Sequence, residues 1–338
     1  MSSDEYLPRY LQALIDYVRK GTRTIVGLHS GTSADGPTAL IAKFSGSDRD
    51  TRFEIIDWQD YDYESPMQER IFDVFSRNTG SVDRIAQADN ALGAYFAEIA
   101  ERTGVTTVSN LRQRDIAAGG LGVPTVSYGD WALFTHEERS RALHNIGGIA
   151  NPTVLPADDM FAFDSGPGNM IMDAFVGWIS DGRQAFDEDG RLAAAGTANR
   201  QLLSEFMDHP FIRQRPPKAA ARQLFGHEYA RGFSDRGREI GLSEADLLAT
   251  AATFTADSIA FAYREHILPR IAIDEIYLAG GGASNTTLVD LIRERLAPIP
   301  VRPLDDLSVP VQAREVLTMM AIGNQTIQGE ARNVPAVT

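Results

Sequence analysis

Short apolar runs that end in glycine turns stand at the head of each half of this 338-residue chain. Residues 24–28 read as a buried strand and residues 39–44 as its return, with the turn Ser30, Gly31, Thr32, Ser33, Ala34, Asp35, Gly36 between them. The second half repeats the pattern: residues 142–145, the turn Ile146, Gly147, Gly148, Ile149, then residues 152–155 after Asn151. Residues 52–58 continue the first antiparallel start, and helical spacing predicts helices over 67–75 and 85–100. In the second half it predicts helices over 169–180, 200–207, 244–266, 287–296 and 312–328, with short strands at 161–163 and 274–279. Tyr6, Leu7, Tyr10, Leu11, Leu14, Ile15 and Val18 recur at helical spacing ahead of the first strand, which reads as a helix packed on its own domain or as a dimer contact.

The repeated hairpin points to two related domains closing on one phosphate. Glycine lets backbone amides converge on an anion, and Ser and Thr hydroxyls add donors. A third turn, Asp164, Ser165, Gly166, Pro167, Gly168, Asn169, joins a short strand to a helix start, where free amides and the helix dipole favour an anion. A carboxylate there is costly without a task. Asp164 either caps the helix or serves as a general base or an anchor for magnesium-bound water. The fourth turn, Gly280, Gly281, Gly282, Ala283, Ser284, Asn285, lets a flat group lie against backbone, or is simply a sharp turn.

Composition narrows the classes. No cysteine is present, so disulfides and thiolate metal sites are excluded. A net charge of −14 leaves no basic patch for nucleic acid or anionic membrane, no apolar run reaches membrane-spanning length, and no signal peptide is evident. The expectation is a cytoplasmic protein. Only Lys20, Lys43 and Lys218 are lysines, an arginine bias that fits either a high-salt cytoplasm or a GC-rich genome. The six histidines lack metal-ligand spacing, and there is no nucleophile elbow, Walker loop or dinucleotide fingerprint. The acidic stretch 181–189 reads as a solvated loop, with Asp187 the one acid that the resemblance below turns toward a cleft. Lys218 follows Pro216 and Pro217 on a predicted loop, as a surface lysine or one near a cleft.

These four turns in this order resemble the anhydro-N-acetylmuramic acid kinase family, in the superfamily of sugar kinases and actin. Further matches are Arg112, Arg114, Asp115 and Ile116 with Gly119 and Gly120; Pro216, Pro217 and Lys218; Arg222 and Phe225; Arg314 and Glu315; and Asn333, Val334, Pro335, Val337 and Thr338. The resemblance implies an α/β fold of two actin-like (ribonuclease H-like) domains, mixed sheets flanked by helices around a central cleft. It implies ATP and Mg2+ as cofactors, a small sugar as substrate and a homodimer. The activity implied is hydrolysis of a 1,6-anhydro ring with phosphorylation of O6, in recycling of cell-wall amino sugars. Ser30, Gly31, Thr32, Ser33, Asp35 and Gly36 then fall on the first phosphate loop, Asn145, Gly147 and Gly148 on the second, and Gly166, Gly168 and Asn169 beside them. Asp164 falls on the catalytic aspartate, Gly280, Gly281, Gly282 and Asn285 on the nucleotide motif, and Glu315 on an acid at the nucleotide side. Arg112, Arg114, Asp115 and Lys218 fall on the sugar side, and no residue falls on a metal ligand.

The chain departs from the family in places. The segment between residue 100 and residues 102–108 lacks the strand with a His, Gly, Gln, Thr motif, the loop and the helix found in relatives, so the first domain is expected to lack a strand. His29 stands for a usual Met, Thr38 and Asn110 each for an Asp, Leu121 for a Gln, and Ala219, Ala220, Ala221 and Gln223 for Ser, Thr, Gly and Glu. Retained phosphate turns with an altered sugar wall favour a kinase of changed substrate, the alternative being a non-catalytic nucleotide-binding homologue. The domains are drawn as a helical extension over 1–22, a shortened first domain over 23–140 and a second over 141–338 that carries the C-terminal helix and ends one short strand before the family does.

Overall fold

The computed structural model describes residues 8–30, 36–75, 80–103, 105–119, 126–156, 160–220 and 224–329. The chain divides into two compact units, residues 1–133 with 312–336, and residues 134–311.

In the first unit, helix α1 (Arg9–Arg19) precedes three antiparallel strands, β1 (Thr22–Ser30), β2 (Pro37–Ser45) and β3 (Arg52–Asp60), ordered β1-β2-β3. Alternation decides which face is buried: Leu40, Ala42 and Phe44 of β2 are fully buried, while Ile41 and Lys43 between them are exposed. Helices α2 (Ser65–Phe75) and α3 (Val82–Thr103) pack on each other around Tyr63, Ile71, Met67, Leu92 and Tyr95. Two short helices follow, α4 (Gln113–Ala117) and α5 (Val126–Phe134), the latter reaching the start of the second unit.

The second unit holds a mixed sheet, strands β4 (Arg141–Ile146), β5 (Ile149–Leu155), β6 (Phe161–Ala162), β7 (Gly166–Pro167), β8 (Glu275–Ala279) and β9 (Val301–Pro303). Its order is β6-β5-β4-β8-β9, with β7 also on β5; β4 runs antiparallel to β5 and parallel to β8. Its helices are α6 (Met170–Ile179), α7 (Arg191–Ala194), α8 (Arg200–Met207), α9 (Pro210–Arg213), α10 (His227–Glu239), α11 (Glu244–Ala262) and α12 (Thr286–Leu296). The alanine-rich α11 is apolar on nearly every side and is correspondingly enclosed, packed on α12, α7, α8 and α6, with a π turn over Tyr263–Ile267 at its end.

The last helix, α13 (Arg314–Ile327), belongs to the first unit, where the sequence reading had put it in the second domain. It lies against β1 so closely that a Cβ on Gly27 would stand 2.5 Å from Met320 and 2.6 Å from Val316. A second close approach, Gly129 of α5 against Thr318, is tied by a bidentate ion pair between fully buried Asp130 and Arg314. Helix α1 is fastened to the same helix: the Tyr17 hydroxyl donates to Asn324 Oδ1 at 2.9 Å, and the Arg23 guanidinium donates to the Tyr17 and Val18 carbonyls. That is the packing of the N-terminal helix on its own domain.

Candidate active site

Three glycine turns of the second unit meet at the carboxyl ends of β4 and β8, where open α/β sheets bind ligands. The β4–β5 hairpin turns through Gly147 and Gly148, and the Gly147 amide donates to Ile149 O at 3.2 Å. The turn at 164–169 is bonded straight onto it: the Gly168 amide donates to Gly148 O at 2.9 Å and the Asn169 amide to Gly147 O at 2.8 Å. The backbones are so close that a Cβ on Gly168 would stand 2.1 Å from Gly147 O. The triple glycine backs onto the same place. Gly280 adopts φ +79°, where a Cβ would also lie 2.7 Å from Ile146 O, and a Cβ on Gly282 would lie 2.3 Å from Ile146 Cγ2.

Glycine thus has two meanings here. At Gly168, Gly280 and Gly282 the packing of backbone on backbone demands it, and at Gly166 a Cβ would meet Ser258 and Ile212 below 3.0 Å. A Cβ on Gly147 or Gly281 would meet nothing nearer than 3.6 Å, so at these two positions packing places no demand and the absent side chain leaves room for a ligand to reach backbone. Asn169 stands among them: its Nδ2 donates to Ile146 O at 3.4 Å, and its buried Oδ1 has no hydrogen-bond partner. Asn145, whose Oδ1 borders Gly280, belongs to the same cluster. Asn285 Oδ1 caps α12 by accepting from the Leu288 amide at 2.9 Å.

Asp164 sits half-buried between Phe163 and Ser165, just before β7. It is not a helix cap, a position held by Asn169. Its amide donates to Lys218 O at 3.1 Å, and its Oδ2 accepts from the Ala220 amide at 2.6 Å. Burial pushes its carboxyl above the usual range, opposed by the Ala220 hydrogen bond and the Lys218 charge. Lys218 itself is 7 % exposed, which excludes the surface reading. Its ammonium donates to Phe211 O at 2.9 Å and Ile212 O at 3.3 Å and lies 4.6 Å from the Phe211 ring centre; burial brings its pKa down to about 8. Asp187 is spent on structure, accepting from the Leu192 and Ala193 amides at 2.9 Å each.

A smaller cluster forms in the first unit. Gly31, Thr32, Ser33 and Asp35 lie outside the described residues, as do Gly120, Arg222 and residues 333–338. Ser30 ends β1 opposite Pro37, and Gly36 is required by packing, since a Cβ would stand 1.6 Å from Tyr61 O. His29 Nε2 lies 3.0 Å from the Glu315 carboxylate, in the first turn of α13. That hydrogen bond, with the charges of His29, Arg314 and Arg112, holds the Glu315 carboxyl below its ordinary value against the cost of burial. Arg112 follows the left-handed Asn110, and Arg114 and Asp115 lie on α4. The His29 contact was signalled in the sequence only as a departure from the family's Met. The role of the Ala220 amide carried no signal, because a backbone donor leaves no mark on residue type. Among the described residues no three His, Asp or Glu side chains gather as a metal site, and no helix is long and apolar enough to cross a membrane.

Comparison with known proteins agrees across most of the chain. Residues 97–338 match the family model described as anhydro-N-acetylmuramic acid kinase. An anhydro-N-acetylmuramic acid kinase of Caldanaerobacter subterraneus subsp. tengcongensis is 33 % identical over 383 aligned positions, covering 97 % of both chains. One from Salinibacter ruber is 33 % identical over 97 % of this chain and 96 % of its own. The 383 positions exceed the 338 residues present, so at least 45 of them stand opposite gaps in this chain. Among solved structures, component A of Acidaminococcus fermentans (R)-2-hydroxyglutaryl-CoA dehydratase is 13 % identical over 90 % of this chain and 99 % of its own, with a TM-score of 0.46. With its relatives curated as kinases and two of them matching at a third identity over nearly their whole length, the chain belongs to the anhydro-N-acetylmuramic acid kinase family.

Proposed function

We propose that the chain is an ATP-dependent kinase that opens a 1,6-anhydro amino sugar with water and phosphorylates its O6, with Asp164 as the general base. The observation that carries this reading is the Asp164 carboxylate, fixed by the Ala220 amide and raised in pKa by burial, just ahead of glycine turns bonded backbone to backbone. A base whose pKa is raised toward neutrality is better matched to taking a proton from water than a solvated carboxylate. In the step proposed, Asp164 takes one proton from a water whose oxygen bonds to C1, the C1–O6 bond breaks, and O6 keeps its electron pair and attacks the γ-phosphate as ADP leaves. Phosphoryl transfer asks mainly for alignment and charge neutralisation.

The residues present fit a nucleotide. Gly147 and Gly281 leave space for close approach to backbone, and the unpaired Asn169 Oδ1 needs a donor, which a ribose hydroxyl or a metal-bound water provides. Magnesium arriving with ATP supplies charge neutralisation on the phosphates. In the first unit, Ser30 and the 31–36 turn are the expected phosphate loop, with Glu315 at the nucleotide side, and Arg112, Arg114 and Asp115 are offered as sugar-side residues.

A second reading, a nucleotide-binding homologue without turnover, draws on the at least 45 gapped positions and on a first-unit sheet of three strands among the described residues. Transfer of labelled γ-phosphate from MgATP to 1,6-anhydro-N-acetylmuramic acid and to a panel of other anhydro and ordinary hexoses separates the two. Product from the parent, reduced by roughly 100- to 10,000-fold in Asp164→Asn, is the expected result. No product on any sugar, with ATP still raising the melting temperature, would leave the binding reading.

A further inference from the structure

Lys218 is matched by the family on the sugar side, yet its ammonium is already occupied. Two of its three protons go to the carbonyls of Phe211 and Ile212, its ammonium lies 4.6 Å from the Phe211 ring centre, and the residue is 7 % exposed. Its backbone, meanwhile, is bonded to Asp164 itself: Lys218 O accepts from the Asp164 amide, and two residues on the Ala220 amide donates to Asp164 Oδ2. The 218–220 segment therefore grips Asp164 at both main chain and carboxylate, while the lysine side chain pins that segment to the end of α9.

We infer that Lys218 is a positioning residue for Asp164, holding its carboxylate in place and ionised by a buried positive charge and a two-point backbone clasp, and that it does not contact the sugar. The catalytic consequence rests on the reading of Asp164 as the base; the coupling between the two side chains does not. Among the described residues, the charged and titratable groups acting on the pair are the following. Asp164 feels Lys218, Lys218 feels Asp164, and His266, in the π turn after α11 with its ring against Phe163, feels Lys218 and Arg215. A positive neighbour favours the charged carboxylate, so Lys218 lowers the Asp164 pKa and its removal raises it.

The test is a pH titration of the full chain by NMR, with Asp Cγ and Lys Cε carrying 13C. Asp164 is assigned by loss of its signal in Asp164→Asn, and Lys218 is one of only three lysines, with Lys20 and Lys43. In Lys218→Met the Asp164 midpoint moves to higher pH, and in Lys218→Arg it stays nearer the parent. Reciprocally, the Lys218 midpoint falls in Asp164→Asn, because coupling between two sites acts equally on both. An unmoved Lys218 midpoint overturns the inference, even should Lys218→Met fail to fold. So does an unmoved Asp164 in a folded Lys218→Met. These readouts need no turnover, so a parent without kinase activity would remove the functional reading and leave the coupling standing. If the parent does transfer phosphate, the acid limb of kcat/KM in Lys218→Met moves to higher pH with the sugar KM unchanged. A raised sugar KM with an unmoved acid limb would make Lys218 a sugar ligand instead.

Discussion

The two units hold their candidate site residues by different means. In the second, the residues sit on turns locked by main-chain hydrogen bonds, Gly168 to Gly148, Asn169 to Gly147 and Asp164 to Lys218, beside a mixed sheet in a unit whose central helix α11 is almost wholly buried. In the first, two described site residues meet through their side chains, His29 and Glu315, at the end of a three-stranded sheet where Val26, Ile41 and Ile56 are exposed. Backbone locking is insensitive to residue type except where a Cβ cannot fit, whereas a side-chain contact is lost with one substitution. The turns of the second unit should therefore fail sharply at a few glycines, and the His29–Glu315 contact of the first should yield by a smaller amount.

The largest effect is expected at Gly168. A methyl group 2.1 Å from Gly147 O overlaps main chain, and neither turn can shift without breaking the Gly168–Gly148 and Asn169–Gly147 hydrogen bonds, so Gly168→Ala should cost at least about 4 kcal/mol of stability. Gly281→Ala makes the sharper contrast. Its new methyl meets nothing nearer than 3.7 Å, so the chain should unfold near the parent's midpoint while ATP-dependent stabilisation is lost. Urea unfolding with and without MgATP reads both. Equal stability loss in the two variants would erase the distinction between packing glycines and ligand-facing ones.

Next in size is the fully buried ion pair of Asp130 and Arg314 in the first unit. Removing one partner strands a buried charge, so Asp130→Ala should destabilise by about 3–5 kcal/mol. Asp130→Leu combined with Arg314→Met should recover most of that loss, since a well-packed apolar pair of similar volume often replaces a buried ion pair without cost. If the double variant is no better than the single one, Arg314 matters through contacts other than Asp130.

What could be read in the sequence follows the same division. Several strands and helices were legible because each has its own periodicity: β2 alternates buried and exposed residues, and the predicted 200–207 helix coincides with Arg200–Met207, whereas α10 was not predicted. The glycine turns were legible as turns, but not which glycines serve packing, because that depends on Gly147 O and Ile146 arriving from another strand. The oxygens of Asn285 and Asp187 accept from nearby amides, a structural use with the same residue preference as binding, so residue type alone does not separate the two. The place of α13 was illegible for a simpler reason. Its partners Gly27 and Asp130 lie about 290 and 184 residues earlier in the chain, and no local pattern records a contact at that separation.

The smallest effect sharpens the comparison from the first unit's side. Glu315 has its carboxyl lowered chiefly by the His29 hydrogen bond, with Arg314 and Arg112 adding to it, while burial works the other way. A carboxyl whose folded pKa lies below its unfolded one stabilises the fold above the unfolded value of about 4.5, and that stability is lost as pH falls through the folded value. His29→Met removes the main cause of the lowering, so less stability remains to be lost on acidification. The Glu315 side chain is 43 % exposed, so solvent screening keeps the difference below about 1 kcal/mol. Urea midpoints at pH 6 and near pH 4 should fall less in His29→Met than in the parent. A parent and variant with the same acid sensitivity would mean that Arg314 and Arg112 alone hold Glu315, and that the first unit's cluster is less dependent on His29 than its 3.0 Å contact implies.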